Sequence, residues 1–122
     1  MKRISSFQSS LSSLAVFSLL VLFVFIAFGS ALNNEFLSWD DDSFVYENRM
    51  IQSLDSERLL QMATSFRTGN WYPITWFSHA LDYRLFGSDP AGHHLTNILW
   101  HGVNVFLLFV LFQRLLSLTK TN

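Results

Sequence analysis

Two long apolar runs frame a middle segment in which apolar and polar residues alternate at helical spacing. The first run, Leu14 to Phe28, contains a single polar residue, Ser18. Taken from 11 to 32 it is 22 residues long, and a helix of that length extends about 30 Å, the thickness of a bilayer core. The second run, "NILWHGVNVFLLFVLFQRLL", covers Asn97 to Leu116 and is also long enough to span. The pattern predicts transmembrane helices over 11–32 and 93–116, with short cytoplasmic segments at 1–10 and 117–122.

Between the runs, "SLDSERLLQMATSF" places Leu59, Met62, Ala63 and Phe66 at helical spacing, with Ser53 or Asp55 as N-cap. "RTGNWYP" breaks the pattern. "PITWFSHALDYRLFG" then predicts a second short helix. Pro73 suits its first turn and Gly87 its stop, and Trp76, Phe77, Ala80, Leu81 and Leu85 form its apolar stripe. The fold class is therefore an all-α membrane protein: two transmembrane helices joined by an extracytoplasmic loop, 33–92, with two short amphipathic helices. These could form an ordinary helical hairpin. The short, aromatic loop favours the other reading, helices lying on the membrane surface and held by Trp71, Tyr72, Trp76 and Tyr83 at headgroup level.

Charge orients this layout. All nine acidic residues of the 122-residue chain lie between the apolar runs, with Arg49, Arg58, Arg67 and Arg84, so that segment carries −5. The flanks hold only Lys2, Arg3, Arg114 and Lys120. Basic residues favour the cytoplasmic side. Both termini are accordingly expected inside a cell inner or plasma membrane, and 33–92 outside. A cleaved signal peptide is the alternative for the first run, with small residues at Gly29 to Ala31. The run is at the long end for one, and a second span follows. The chain has no cysteine, which excludes disulfides and thiolate metal sites. The overall charge of −1 gives no reason to expect nucleic acid as a partner.

Two polar features stand out. His94, Asn97, His101 and Asn104 share one face of the second span. Within a bilayer such a face turns towards protein or a polar cavity, so the pair of helices needs further helices as partners. The second feature is "FLSWDDDSFVYEN", where Asp40, Asp41 and Asp42 stand in a row. Its D-x-D spacing would bind metal only within a nucleotide-binding α/β domain, and no strand–helix alternation exists here. A calcium loop lacks its glycine and distal glutamate. A solvated acidic turn remains the plain alternative.

"WDDDSFVYEN", "NWYPITWFSHALDYRLFG" and "DPAGHHLTNILWHGVN" resemble, in that order, the N-terminal part of polytopic GT-C glycosyltransferases. The nearest likeness is to the tetratricopeptide-repeat proteins related to protein O-mannosyltransferases. The looser plan is shared with the lipid-linked aminoarabinose transferases. The resemblance runs over roughly residues 12 to 118. It implies transfer of a sugar from a polyprenyl-phosphate donor to an acceptor on the extracytoplasmic face, in protein O-glycosylation or a similar reaction. An acidic residue of the first outer loop then takes the proton of the acceptor hydroxyl, since a carboxylate within hydrogen-bond reach strengthens a poor nucleophile. By motif position this implies Asp40 as base and Asp41 as its electrostatic neighbour, with Asp42 a bystander.

The other candidates are weaker. Arg49, Arg67 and Arg84 suit the carrier phosphate, because arginine binds phosphate bidentately. His93 and His94 could contact phosphate, and Tyr72 the substrate. Trp39, Phe44 and Tyr46 would hold the acidic loop at the membrane or stack on sugar. His79 and Asp82, three apart on the second loop helix, read as a side-chain pair. His93 and His94 lack a third ligand at a diagnostic spacing, so no metal site and no cofactor is assigned, with divalent metal left open. The expected partners are the lipid-linked donor, the bilayer and further transmembrane helices. A second class of function stays open: a non-enzymatic, two-span accessory protein.

Overall fold

The computed structural model describes residues 2–119, with side chains from Leu14 onward. Every regular element among them is helical. Four α-helices run in order: α1 (Lys2–Phe28), α2 (Ser56–Thr64), α3 (Pro73–Phe86) and α4 (Pro90–Thr119). Two helical segments, Leu14–Asn33 and Pro90–Thr119, are long and apolar enough to cross a membrane. The described residues have an all-α membrane-protein architecture of two candidate spans joined by shorter helices.

The chain divides into two compact units. The first comprises the described parts of Met1–Ser30 and Asn97–Asn122. Here Phe17 meets Phe106 edge-on at 4.9 Å, and Phe28 meets His101 likewise at 4.9 Å. Gly102 faces Val21, and a Cβ there would make an ordinary contact with it at 3.9 Å. Val24 and Ile98 are buried, while most other large apolar side chains stay exposed. Outward leucines and phenylalanines all round a helix are what lipid requires. Asn97, His101 and Asn104 are exposed as well.

The second unit, Ala31–Thr96, builds its own core from Val45, Met50, Ile51, Met62, Trp76 and Ala80, with Phe36, Phe44 and Tyr83 packed against it. Local chemistry sets its joints. Asp55 caps α2 by accepting from the Arg58 N–H at 2.9 Å. The Ser53 hydroxyl, and then that backbone N–H, hold the Asp55 carboxyl below its usual value. Asn48 is fully buried. It accepts from the Met50 N–H at 3.1 Å and donates to the Phe44 carbonyl at 3.2 Å. Pro73 opens α3, and Gly87, with φ 63°, closes it. Asp89 then caps α4 by accepting from the Ala91 N–H at 3.1 Å.

Two expectations are corrected by this core. Trp76 is fully buried and stacks on Phe44 at 4.9 Å, so its ring is not free for lipid headgroups; Tyr83 is half-buried against the same cluster. Trp71 and Tyr72 remain exposed. The stripe of α3 also splits. Trp76 and Ala80 enter the core, while Ile74, Phe77, Leu81 and Leu85 form an exposed apolar row. In α2, Met62 is buried but Phe66, beyond the helix end, is exposed. Burial of Trp76 wins because Val45 and Ile51, in short non-α helical turns, join it in a protein core.

Candidate functional site

The acidic triplet does not behave as one group. Asp41 starts a short helical segment whose next residues, Asp42–Tyr46, wind as a π-helix. Wide single turns of this kind interrupt the regular backbone and recur at functional positions. The Asp41 carboxylate accepts from the Leu37 N–H at 2.9 Å. Asp42 is turned onto the next residue, accepting from the Ser43 N–H at 2.6 Å. Asp40 is exposed, and its carbonyl accepts from the Phe44 N–H at 2.8 Å and the Ser43 hydroxyl at 3.1 Å.

Asp41 alone of the three lines an open hollow of about 520 Å³, together with Asn33, Asn34, Glu35, Leu37 and His94. The Nε2 of His94 is buried without a hydrogen-bond partner in the protein. Two carboxylates, Asp41 and Glu35, a half-buried imidazole and two amides thus line one recess. That set can accept a proton and bind hydroxyls.

The arginines gather elsewhere. Arg49, Arg58 and Arg67 line a second open hollow of about 570 Å³ with Glu47, Gln61, Thr64 and Ser65. Arg58 donates to the Arg49 carbonyl, and Arg67 donates to the Ser43 carbonyl at 3.2 Å. Arg84 sits exposed in the last turn of α3, where a cation complements the helix dipole. Tyr72 packs its ring against Phe44 and Trp76, at 6.4 and 6.5 Å. Of the proposed substrate residues, only His94 lines the recess with Asp41.

His93 does not line that recess. The Phe36 ring neighbours both imidazoles, 5.5 Å from His93 and 6.2 Å from His94. His93 is almost fully buried, and its Nε2 bonds the Gly87 carbonyl at 3.0 Å. Its ring lies 6.3 Å from that of His79. Burial first, and His93 second, hold the His79 imidazole below its usual value, against the pull of Asp82 and Asp41. His79 and Asp82 form no hydrogen bond or close ion pair with each other. Instead ligand atoms of His79, Asp82 and His93 all lie within 4.8 Å of one another. The third group that sequence spacing lacked comes from a different helix. The i, i+3 relation of His79 and Asp82 was a partial signal, but no periodicity in α3 points to His93.

No protein-family model matches the chain, and no solved structure matches it. Over 48 residues, 39% of this chain, it is 38% identical to Protein O-mannosyl-transferase Tmtc1 of Drosophila melanogaster. The matched stretch spans 6% of that relative's length. Part of this chain is therefore similar in sequence to an O-mannosyl-transferase.

Proposed function

We propose that the chain is the N-terminal module of a GT-C membrane transferase, which moves a sugar from a polyprenyl-phosphate donor to a hydroxyl acceptor on the extracytoplasmic face. The observation that carries the reading is the recess where Asp41 and His94 meet. The likeness to an O-mannosyl-transferase and the two apolar helices support it. In this reading the acceptor oxygen attacks the anomeric carbon, and the bond to the carrier phosphate breaks. The acceptor proton passes to a carboxylate.

Geometry favours Asp41 over Asp40 for that last step. Asp41 lines the recess and is held there by the Leu37 N–H, whereas Asp40 is exposed. A base must be within hydrogen-bond reach and correctly oriented before its strength matters. Asp40 then supplies field rather than proton transfer. The arginine hollow is the natural seat for the carrier phosphate, with Arg49 a direct contact and Arg84 outside it. Loop 33–92 lies outside the cell, both termini inside, and further helices cover the polar face of α4.

The test is sugar transfer from a polyprenyl-phosphate donor, in membranes holding a transferase with this N-terminal segment. Asp41→Asn is expected to lower turnover by about 10²–10⁴, the usual worth of a general base. Asp42→Asn should leave it near the parent rate. If all three Asp→Asn changes stay within a few-fold of the parent, the triplet is a solvated turn and the accessory-protein reading takes over.

A further inference from the structure

We propose that His79, Asp82 and His93 form a binding site for a divalent transition-metal ion of the zinc class, joining α3 to the first turn of α4. His79 and Asp82 lie one turn apart on the same face of α3. His93 comes from the next helix. Their ligand atoms lie within 4.8 Å of one another. Ligands about 2.0–2.2 Å from a tetrahedral zinc are roughly 3.3 Å apart, so small side-chain rotations close the site.

Burial and bonding point the same way. Asp82 is 4% exposed and His93 3%, and no hydrogen bond or ion pair joins Asp82 to another described residue. With no such partner, its carboxylate oxygens are available to a cation. The Nδ1 atoms of both His79 and His93 are buried without a hydrogen-bond partner. For His93 the reason is legible. A carbonyl can only accept, so Nε2 carries the hydrogen that meets Gly87. In the neutral ring that leaves the lone pair on Nδ1. An imidazole that donates one N–H to a backbone carbonyl and offers its other nitrogen is the usual arrangement around a metal.

The donor set selects the ion. Two imidazoles and one carboxylate suit zinc and its first-row neighbours, whereas calcium and magnesium take oxygen ligands. Three protein ligands leave a tetrahedral ion one open position, filled by water or a substrate oxygen. Because the ligands bridge two helices, binding should rigidify the α3–α4 corner and with it the flank of the acidic recess.

The experiment uses the whole chain, purified in detergent with a histidine-free tag, stripped with chelator and titrated with zinc or cobalt(II). The expected result is one tightly held zinc per chain, visible ligand-field absorption with cobalt, and a rise in melting temperature on metal addition. Asp82→Asn and His79→Gln, both near-isosteric, should each weaken binding by at least about 10-fold and abolish the melting shift. His93→Ala should do the same. If that variant misfolds by circular dichroism, the two isosteric changes decide alone. His101→Ala should bind like the parent. Equal zinc affinity in parent, Asp82→Asn and His79→Gln would overturn the site, as would parent binding no tighter than that of a chain carrying both His79→Gln and Asp82→Asn. Metal binding needs no sugar transfer, so this proposal and the transferase reading can fail separately.

Discussion

His93 donates through Nε2 to the carbonyl of Gly87 at 3.0 Å, tying the first turn of α4 to the residue that ends α3. The bond closes a tight corner. Gly87 takes a positive φ of 63°, and a Cβ on Gly92 would fall inside the Phe86 side chain. The corner sets His93 towards α3 and leaves His94 beside Asp41.

Gly92→Ala should therefore strain the corner. Forcing a methyl into a filled site costs typically about 1–3 kcal/mol. Chemical unfolding of the detergent-solubilised chain, followed by tryptophan fluorescence, should show an unfolding free energy lower by that amount and a correspondingly lower midpoint. A midpoint equal to the parent's would mean that Phe86 can swing away freely.

Trp76 and Trp71 should part company. Trp76→Ala empties the centre of the loop unit and should cost about 3–5 kcal/mol, the usual loss for a buried large aromatic. Trp71 is 57% exposed and makes one bond, to the Ala63 carbonyl at 2.8 Å. Trp71→Ala should cost no more than about 1–2 kcal/mol. Similar losses at both sites in denaturant titrations would contradict the core described above.

The proposed sidedness rests on charge alone. A periplasm-active reporter inserted at Gly69 should work, and one fused at Asn122 should not. The opposite pattern would place Asp41 on the cytoplasmic side and remove the proposed chemistry with it.

Asn97 and Asn104 are exposed on a helix apolar enough for a membrane. Polar side chains in lipid look for partners, so the isolated chain should self-associate in detergent. Asn97→Leu with Asn104→Leu should weaken that association by roughly 1 kcal/mol per lost hydrogen bond, read from concentration-dependent energy transfer. A parent chain that stays monomeric at all concentrations would show that the face needs no neighbour.

Residue order by itself determined the helical class, the two apolar lengths, a cap at Ser53 or Asp55, which the structure resolves to Asp55, the start at Pro73 and the stop at Gly87. Each depends on a few neighbouring residues: apolar length, an N-cap oxygen, a fixed φ, a missing Cβ. Period could show that Trp76 is apolar, but not whether its apolar cover is lipid or protein. That depended on Val45 and Ile51, more than 20 positions away in segments without period. The same limit applies to chemistry. The triplet reads as three equal carboxylates, and backbone winding separates them, giving Asp41 the recess, Asp42 its neighbour's N–H and Asp40 the solvent. His93 and His94 are adjacent in sequence yet serve different surroundings, because successive residues on a helix point about 100° apart. Only the turn at Gly87 decided which of them met His79 and Asp82.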